Sequence, residues 1–338
     1  LNGVFEWYQR NTNGMLAPGV QLPAVVGASA PYQNTADMRT RGWELSLNWR
    51  DQIGKVGYRL GFNLSDYKSK ITKYDDNAAT KLLSSFYPGQ VMGEIWGYVA
   101  DGYYTVDDFE DTSSWKLKEG ITSINGYNVR PGDVKFKNLR DDESSTNVIT
   151  SGDNTFDNPG DRKVIGNNTP RYLYGITLGA NFKGFDLNVF MQGTGKRDAW
   201  IANNLKFPLY SDFKFIALYK DLGNYWKPVD AANGDYTAAN PNAEFPRIYG
   251  NYGNQGSNYR QSDKYLSDAS YFRIKNVTLS YTFPKAWITK ASLSQLKAFV
   301  SIENLATFSS LPKGIDPETL SWNYPAFRTV SFGLNVTL

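Results

Sequence analysis

The chain has 338 residues, enough for one large domain or two ordinary ones, and carries 36 Lys+Arg against 33 Asp+Glu for a formal net charge of +3. It has no cysteine and no histidine, which excludes thiol and imidazole nucleophiles, disulfides and Cys/His zinc sites. The near-balanced charge, without any Lys/Arg-rich run, gives no argument for nucleic acid, and no apolar run is long enough for a transmembrane helix.

Taken in chain order, eight segments alternate with the period of a strand, one face apolar and the other polar. They run roughly over 1–9, 42–50, 56–69, 171–182, 185–195, 271–283, 293–303 and 329–338. The first begins at Leu1, so the sequence opens within a strand and is expected to be a fragment with more chain upstream. In the second, Trp43, Leu45, Leu47 and Trp49 oppose Glu44, Ser46, Asn48 and Arg50. In the third, Tyr58, Leu60, Phe62 and Leu64 oppose Arg59, Gly61, Asn63 and Ser65. In the fourth and fifth, Tyr172, Tyr174, Ile176, Leu178, Ala180 and Phe182, then Phe185, Leu187, Val189 and Met191, form the apolar rows. Val277, Leu279, Tyr281 and Phe283 continue the pattern, as do Leu296, Ala298, Val300 and Ile302. The last segment sets Val330, Phe332, Leu334, Val336 and Leu338 against Thr329, Ser331, Gly333, Asn335 and Thr337.

The links between these segments are about 32, 5, 101, 2, 75, 9 and 25 residues long, so long and short alternate strictly. Antiparallel strands run up and down, which gathers all short links on one side of a sheet and all long ones on the other. Transmembrane β-barrels have this asymmetry, with short periplasmic turns and long extracellular loops. A soluble sandwich has no reason to sort its loops by length. From Tyr172 to Phe182, ten residues at about 3.3 Å each give roughly 33 Å, and a tilt of about 40° brings the height to roughly 25 Å, an apolar band with an aromatic at each rim. The expected fold is therefore all-β, a transmembrane antiparallel β-barrel. Its polar inner face would carry Glu6, Glu44, Arg50, Arg59, Lys297 and Glu303. An eight-stranded barrel closed on itself and filled by side chains is a second possibility. The terminal apolar row should face lipid, so a charge at Leu334 is expected to block barrel assembly.

Six stretches carry a resemblance to a known family. They are Arg41-Gly-Trp-Glu-Leu-Ser-Leu47; Gly93-Glu-Ile-Trp-Gly-Tyr98 with Asp101-Gly102; Arg130-Pro-Gly-Asp-Val-Lys-Phe136; Ile165-Gly-Asn-Asn-Thr-Pro-Arg-Tyr172; Asp268-Ala-Ser-Tyr-Phe-Arg-Ile-Lys-Asn-Val-Thr-Leu-Ser-Tyr281; and Gly314-Ile-Asp-Pro-Glu318. In this order, and over nearly the whole chain, the sequence resembles the C-terminal part of SusC/RagA-type TonB-dependent outer-membrane transporters. The resemblance implies a 22-stranded barrel closed by an N-terminal plug, of which 1–338 would supply the last eight strands. Residues 70–170 and 196–270 would be long extracellular loops. It implies import of oligosaccharides or peptides across the outer membrane of a Gram-negative bacterium. The implied partners are a SusD-like surface lipoprotein as lid, the TonB complex through the absent N-terminal region, and outer-membrane lipid. Two departures stand out. The final residue is Leu338 where the family commonly has an aromatic. The segment Asn138-Leu-Arg-Asp-Asp-Glu143 places an Arg at its centre and lacks the turn glycine of a calcium loop, so no metal is expected there.

No cofactor and no catalysis are expected: the function would be binding and gated passage. Loop aromatics set among Asn and Gly are the candidate substrate contacts, because a flat ring offers a large contact area with a polar edge. They are Trp96 and Tyr98, with Tyr103 and Tyr104 beside them, and Trp226, Tyr249, Tyr252 and Tyr259. The competing reading of each is a ring that packs its own loop, with Trp96 as a loop anchor. Two other functions stay open at this point. A secreted β-rich carbohydrate-active enzyme needs only two carboxylates, and Asp107, Asp108, Glu110, Asp141 and Asp142 are candidates. A passive porin or adhesin barrel is the other.

Overall fold

In the computed structural model, residues 1–18, 24–27, 31–74, 86–140, 147–202, 207, 220–249, 256–289, 292–321 and 326–338 are described. Eight strands form one sheet in strict chain order, each antiparallel to the next. They are β1 (Asn2–Pro18), β2 (Tyr32–Ile53), β3 (Val56–Tyr74), β4 (Arg171–Phe182), β5 (Phe185–Lys196), β6 (Tyr271–Thr282), β7 (Gln295–Ser309) and β8 (Thr329–Thr337). Among the described residues β1 and β8 do not pair with each other, so the sheet is open at both edges and the closed eight-stranded barrel is ruled out for this chain. Among the described residues no helix is long and apolar enough to cross a membrane.

The register converts the alternation into continuous rows. Trp49, Leu60, Leu178, Val189, Val277, Ile302 and Val330 are direct neighbours from β2 to β8. One step along each strand, Arg50, Arg59, Gly179, Asn188, Thr278, Ser301 and Ser331 form the adjoining row on the opposite face. Side chains of successive residues point to opposite faces, so one face is apolar and the other polar across the whole sheet. The apolar face is rimmed by rings at both ends. Towards the long loops Tyr174 stacks on Phe272 at 6.5 Å and Phe272 on Phe308 at 6.0 Å. Towards the short turns Phe185 meets Tyr281 at 4.6 Å, Tyr281 meets Phe283 at 5.1 Å and Trp49 meets Tyr58 at 6.2 Å. Phe332 and Leu334 of the last strand are 81% and 70% exposed, with no protein packed over them.

Two expectations need correction. Several strands run further toward the long-loop side than their alternation indicates, β1 to Pro18 and β2 back to Tyr32, so the first long link covers residues 19–31 only. Above the apolar band the pairing continues without an alternating signature, and Ala17, Ala36, Ile71 and Tyr74 are buried there against Phe86 and Met92. Tyr172 departs from regular strand geometry, with φ at 54°, although the flanking pairs Arg171–Lys196 and Leu173–Thr194 keep the register.

The long links, 75–170 and 197–270, have structure of their own. Short strands Glu94–Tyr98 and Arg162–Asn167 pair, as do Ala100–Tyr103 and Val134–Phe136. Tyr98, Tyr104, Phe109, Val134, Phe136 and Ile149 are buried together in the first loop. Phe207, Leu222, Phe245, Tyr259 and Tyr265 form a second cluster.

Candidate functional site

The polar face of the sheet and the loops above it are where a passing solute would make contact. Across the face, small residues leave room for long side chains to reach over them. Arg59 on β3 lies across Gly179 on β4, where a Cβ would collide with its Nε, and so reaches Asp186 on β5 at 3.2 Å and also Asn188. Phe299 similarly covers Gly333. Further along, Thr278 and Ser301 share a 2.8 Å hydrogen bond and Asn276 donates to Ser301 at 3.0 Å.

At the long-loop end a segment of the last link, residues 311–321, is bound to this polar wall. Buried Arg273 on β6 pairs with Asp316 at 2.9 Å, and Lys275 and Gln192 reach Glu318 at 3.1 and 2.8 Å. Arg197 donates to the carbonyls of Pro317 and Glu318, and Leu311 and Ile315 pack on Ala199, Ile201 and Ala269. The Gly314-Ile-Asp-Pro-Glu318 stretch is thus the part of this link that is fixed to the barrel wall.

The two long loops are joined at Asp133. The Pro131-Gly132 turn, with Gly132 at φ 89°, brings the buried Asp133 carboxylate under the second loop. It accepts from Tyr249 Oη at 2.5 Å, Asn258 Nδ2 at 2.9 Å and the Arg130 amide at 2.7 Å. Asn258 Oδ1 in turn accepts from the Val134 amide at 2.8 Å. Burial pushes the Asp133 carboxyl above the usual carboxylate range although these donors pull it down. Burial and the neighbouring carboxylate hold the Tyr249 phenol well above its ordinary value. Trp226 lies against Gly132, where any Cβ would collide with its ring, and the Arg247 guanidinium sits 6.0 Å from the ring centroid.

Beside this junction is a cleft of about 600 Å3 between the loops, lined by Tyr103, Thr105, Asp107, Trp226, Tyr236, Thr237 and Pro241. Of the described candidate contacts Trp226 borders it, its ring only 4% exposed; Tyr103 and the buried Tyr104, named beside them, border it too. Trp96 is buried against Tyr87 and Phe156, Tyr98 against Phe136, and Tyr259 against Phe207. Tyr249 is spent on Asp133. Tyr252 lies outside the described residues. Asp133, Asn258 and Tyr236 are the residues that reading the sequence missed. The Asn-Gly-Asp turn before Tyr236 was the one available signal for a ring presented on a hairpin.

Of the carboxylates considered for hydrolysis, Asp107 is exposed and Asp108 and Glu110 are each paired with a lysine. Asp108 caps the Thr105 amide at 2.7 Å and pairs with Lys135 at 3.3 Å, and Glu110 pairs with Lys116 at 2.8 Å. Asp141 and Asp142 lie outside the described residues. Among the described residues no group of three or more Asp or Glu side chains is placed to hold a metal ion.

A sheet with one apolar face, two aromatic rims and links sorted by length defines a section of the wall of a transmembrane β-barrel. No protein-family model matches the chain. Along 98% of its length it is 27% identical to TonB-dependent receptor P3 of Formosa agariphila, and along 99% it is 24% identical to TonB-dependent receptor SusC of Bacteroides thetaiotaomicron. Its fold matches the structure of the RagAB peptide importer in the open-open state with a TM-score of 0.67 over 99% of the chain, at 19% identity. The chain spans about a third of the length of these relatives, 32% of P3, 30% of SusC and 32% of the RagAB chain. The chain is thus similar along nearly its whole length to a stretch of the barrel of SusC/RagA-type TonB-dependent receptors, proteins of the Gram-negative outer membrane. These relatives bear the names of receptors and an importer.

Proposed function

We propose that the whole protein imports an oligosaccharide or peptide nutrient across the outer membrane, driven through the TonB complex and capped by a SusD-like lipoprotein. In this reading the chain supplies barrel wall and outer loops, and works by binding and gated passage without chemistry. The observation that carries it is the unbroken pair of rows, apolar outside and polar inside, on a chain similar over its whole length to TonB-dependent receptors. The structurally similar RagAB is a peptide importer, which supports a solute of about that size. Among the loop aromatics, Trp226 is proposed to touch substrate. Trp96, Tyr98, Tyr249 and Tyr259 are proposed to hold the loops in shape, since their rings or hydroxyls are engaged within them.

Uptake of fluorescent oligosaccharides and peptides by cells with and without the full-length receptor tests this. Receptor-dependent uptake that stops when the proton-motive force is collapsed is expected. Uptake that persists without that force would indicate a passive pore. Release of shortened sugars by the purified receptor would indicate an enzyme.

A further inference from the structure

The outward face of β1–β3 changes character just above the apolar band. Phe5 and Trp43 stack there at 6.4 Å, and Trp7 lies directly opposite Trp43. The next outward position along these strands holds Gln9, Arg41 and Lys68, and the one after it Asn11, Arg39 and Lys70. The β2–β3 pairing has no shift from Met38 to Ile53, so these four cations share the face of Trp43, Leu45 and Leu47. Burial agrees. Arg39, Arg41, Lys68 and Lys70 are exposed, whereas Thr40 and Ser69 between them point inward and share a buried 2.7 Å hydrogen bond.

The register sets like charges against each other. Arg41 is directly opposite Lys68, and Arg39 directly opposite Lys70. Facing residues of antiparallel strands have Cβ atoms about 5 Å apart, and like charges at that separation destabilise a sheet unless an anion lies between them. None of the four forms a salt bridge with any described residue; Asp66, the next outward-facing position on β3, is buried and paired with Arg171. On the inward face the charges come instead in opposite pairs, Arg59 with Asp186, Arg273 with Asp316 and Lys275 with Glu318. The two guanidinium groups are also aimed. Arg41 Nε donates to Gln9 at 2.8 Å and Arg39 Nε to Asn11 at 3.3 Å, and no described residue accepts from their Nη atoms.

An anion at this height would sit beside lipid, because aromatic rims mark headgroup level and the exposed apolar rows begin just below. A guanidinium presents a fork that matches phosphate oxygens, and an ammonium adds a point charge. We propose that Arg39, Arg41, Lys68 and Lys70 form a belt that binds the phosphates of a lipid in the leaflet around the long-loop end, its acyl chains lying on the apolar face below. A free phosphate ion would gain nothing from that apolar face. A second copy of this chain, placed symmetrically on the patch, would bring four more cations to it. The proposal rests on the reading of this sheet as barrel wall with the long loops outside the cell.

The test uses the full-length receptor in detergent, with bound lipid counted by native mass spectrometry. It is titrated with bisphosphorylated lipid A, with the same lipid after removal of its phosphates, and with inorganic phosphate. Two double variants, Arg41→Gln with Lys68→Gln and Arg39→Gln with Lys70→Gln, are compared with the parent. The control, Lys55→Gln with Lys183→Gln, removes two exposed cations from the short turns. Heat-modifiable migration confirms that each barrel is folded. Lipid A is expected to bind the parent and the control alike, and either belt variant about tenfold more weakly. Should one belt variant fail to fold, the other carries the test. Lipid binding that survives the belt substitutions, that falls equally in the control, or that is matched by the dephosphorylated lipid or by inorganic phosphate overturns the proposal. Binding in detergent requires neither transport nor sidedness, so energised uptake, scored separately, can fail while the belt stands, and the reverse.

Discussion

Asp133 is the residue on which the two long loops depend. Its carboxylate is buried with three donors turned towards it, and two of those, Tyr249 and Asn258, come from the other loop. Asp133→Ala leaves those donors buried without an acceptor and is expected to destabilise the loop junction by about 2–4 kcal/mol, several times the cost of Tyr249→Phe. Hydrogen exchange of residues 129–136 and 256–262 should rise in the first variant and barely change in the second; equal protection in both would contradict the account. Little of this was legible in the sequence. The Arg130-Pro-Gly-Asp133 stretch stood out only through resemblance, because its partners lie 116 and 125 residues away. The aromatics were legible as a set, but a ring among Asn and Gly reads the same whether it faces solute or its own loop. Packing buries Trp226, Trp96 and Tyr259 alike, with Trp226 beside the cleft, and leaves Tyr236 half-buried there.

At the scale of the strand, register decides how much each position matters. Val189 and Val277 lie in the middle apolar row, whereas Leu334 shares its row with Phe182, Phe185 and Tyr281 of the turn-side aromatic rim. Val277→Arg is therefore expected to cost about 2–4 kcal/mol and Leu334→Arg only about 1, the cost falling toward the membrane surface, so the block to assembly expected from the alternation at Leu334 is revised to a modest loss. Surface levels in cells should drop strongly for the first and modestly for the second; the opposite order would place the apolar band elsewhere. On the polar face, Gly179→Ala drives a methyl into Arg59 Nε and forces it off Asp186 and Asn188. The pair is only partly shielded from water, so a loss of about 1 kcal/mol is expected, read as a lower temperature for the heat-modifiable shift. The strand cores and their faces were legible because lipid imposes alternation. The ends of β1 and β2 were not, because above the apolar band no lipid imposes alternation and the burial of Ala17 and Ala36 depends on loop residues distant in sequence, Phe86 and Met92. The left-handed backbone at Tyr172 left no trace in the sequence, since a tyrosine with φ 54° looks like any other in an alternating row.

At the scale of the molecule, the sorting of links by length was legible in the sequence, since it depends only on strand count and direction. In the fold the turns between β2 and β3 and between β4 and β5 are residues 54–55 and 183–184, while the opposite end carries 75–170 and 197–270. The central claim is that this sorting is a sidedness, with long loops outside the cell and short turns in the periplasm. These 338 residues have no cysteine, so once any cysteine elsewhere in the receptor is replaced, single thiols can be placed on a clean background. Lys118→Cys and Ala232→Cys sit on the long loops, Lys55→Cys and Lys183→Cys on the short turns, and all four positions are exposed. A maleimide coupled to polyethylene glycol too large for porins, applied to intact cells, should label the first two and reach the last two only after the outer membrane is opened. Labelling of Lys55→Cys or Lys183→Cys on intact cells, or of all four alike, would contradict the barrel orientation and the import reading built on it.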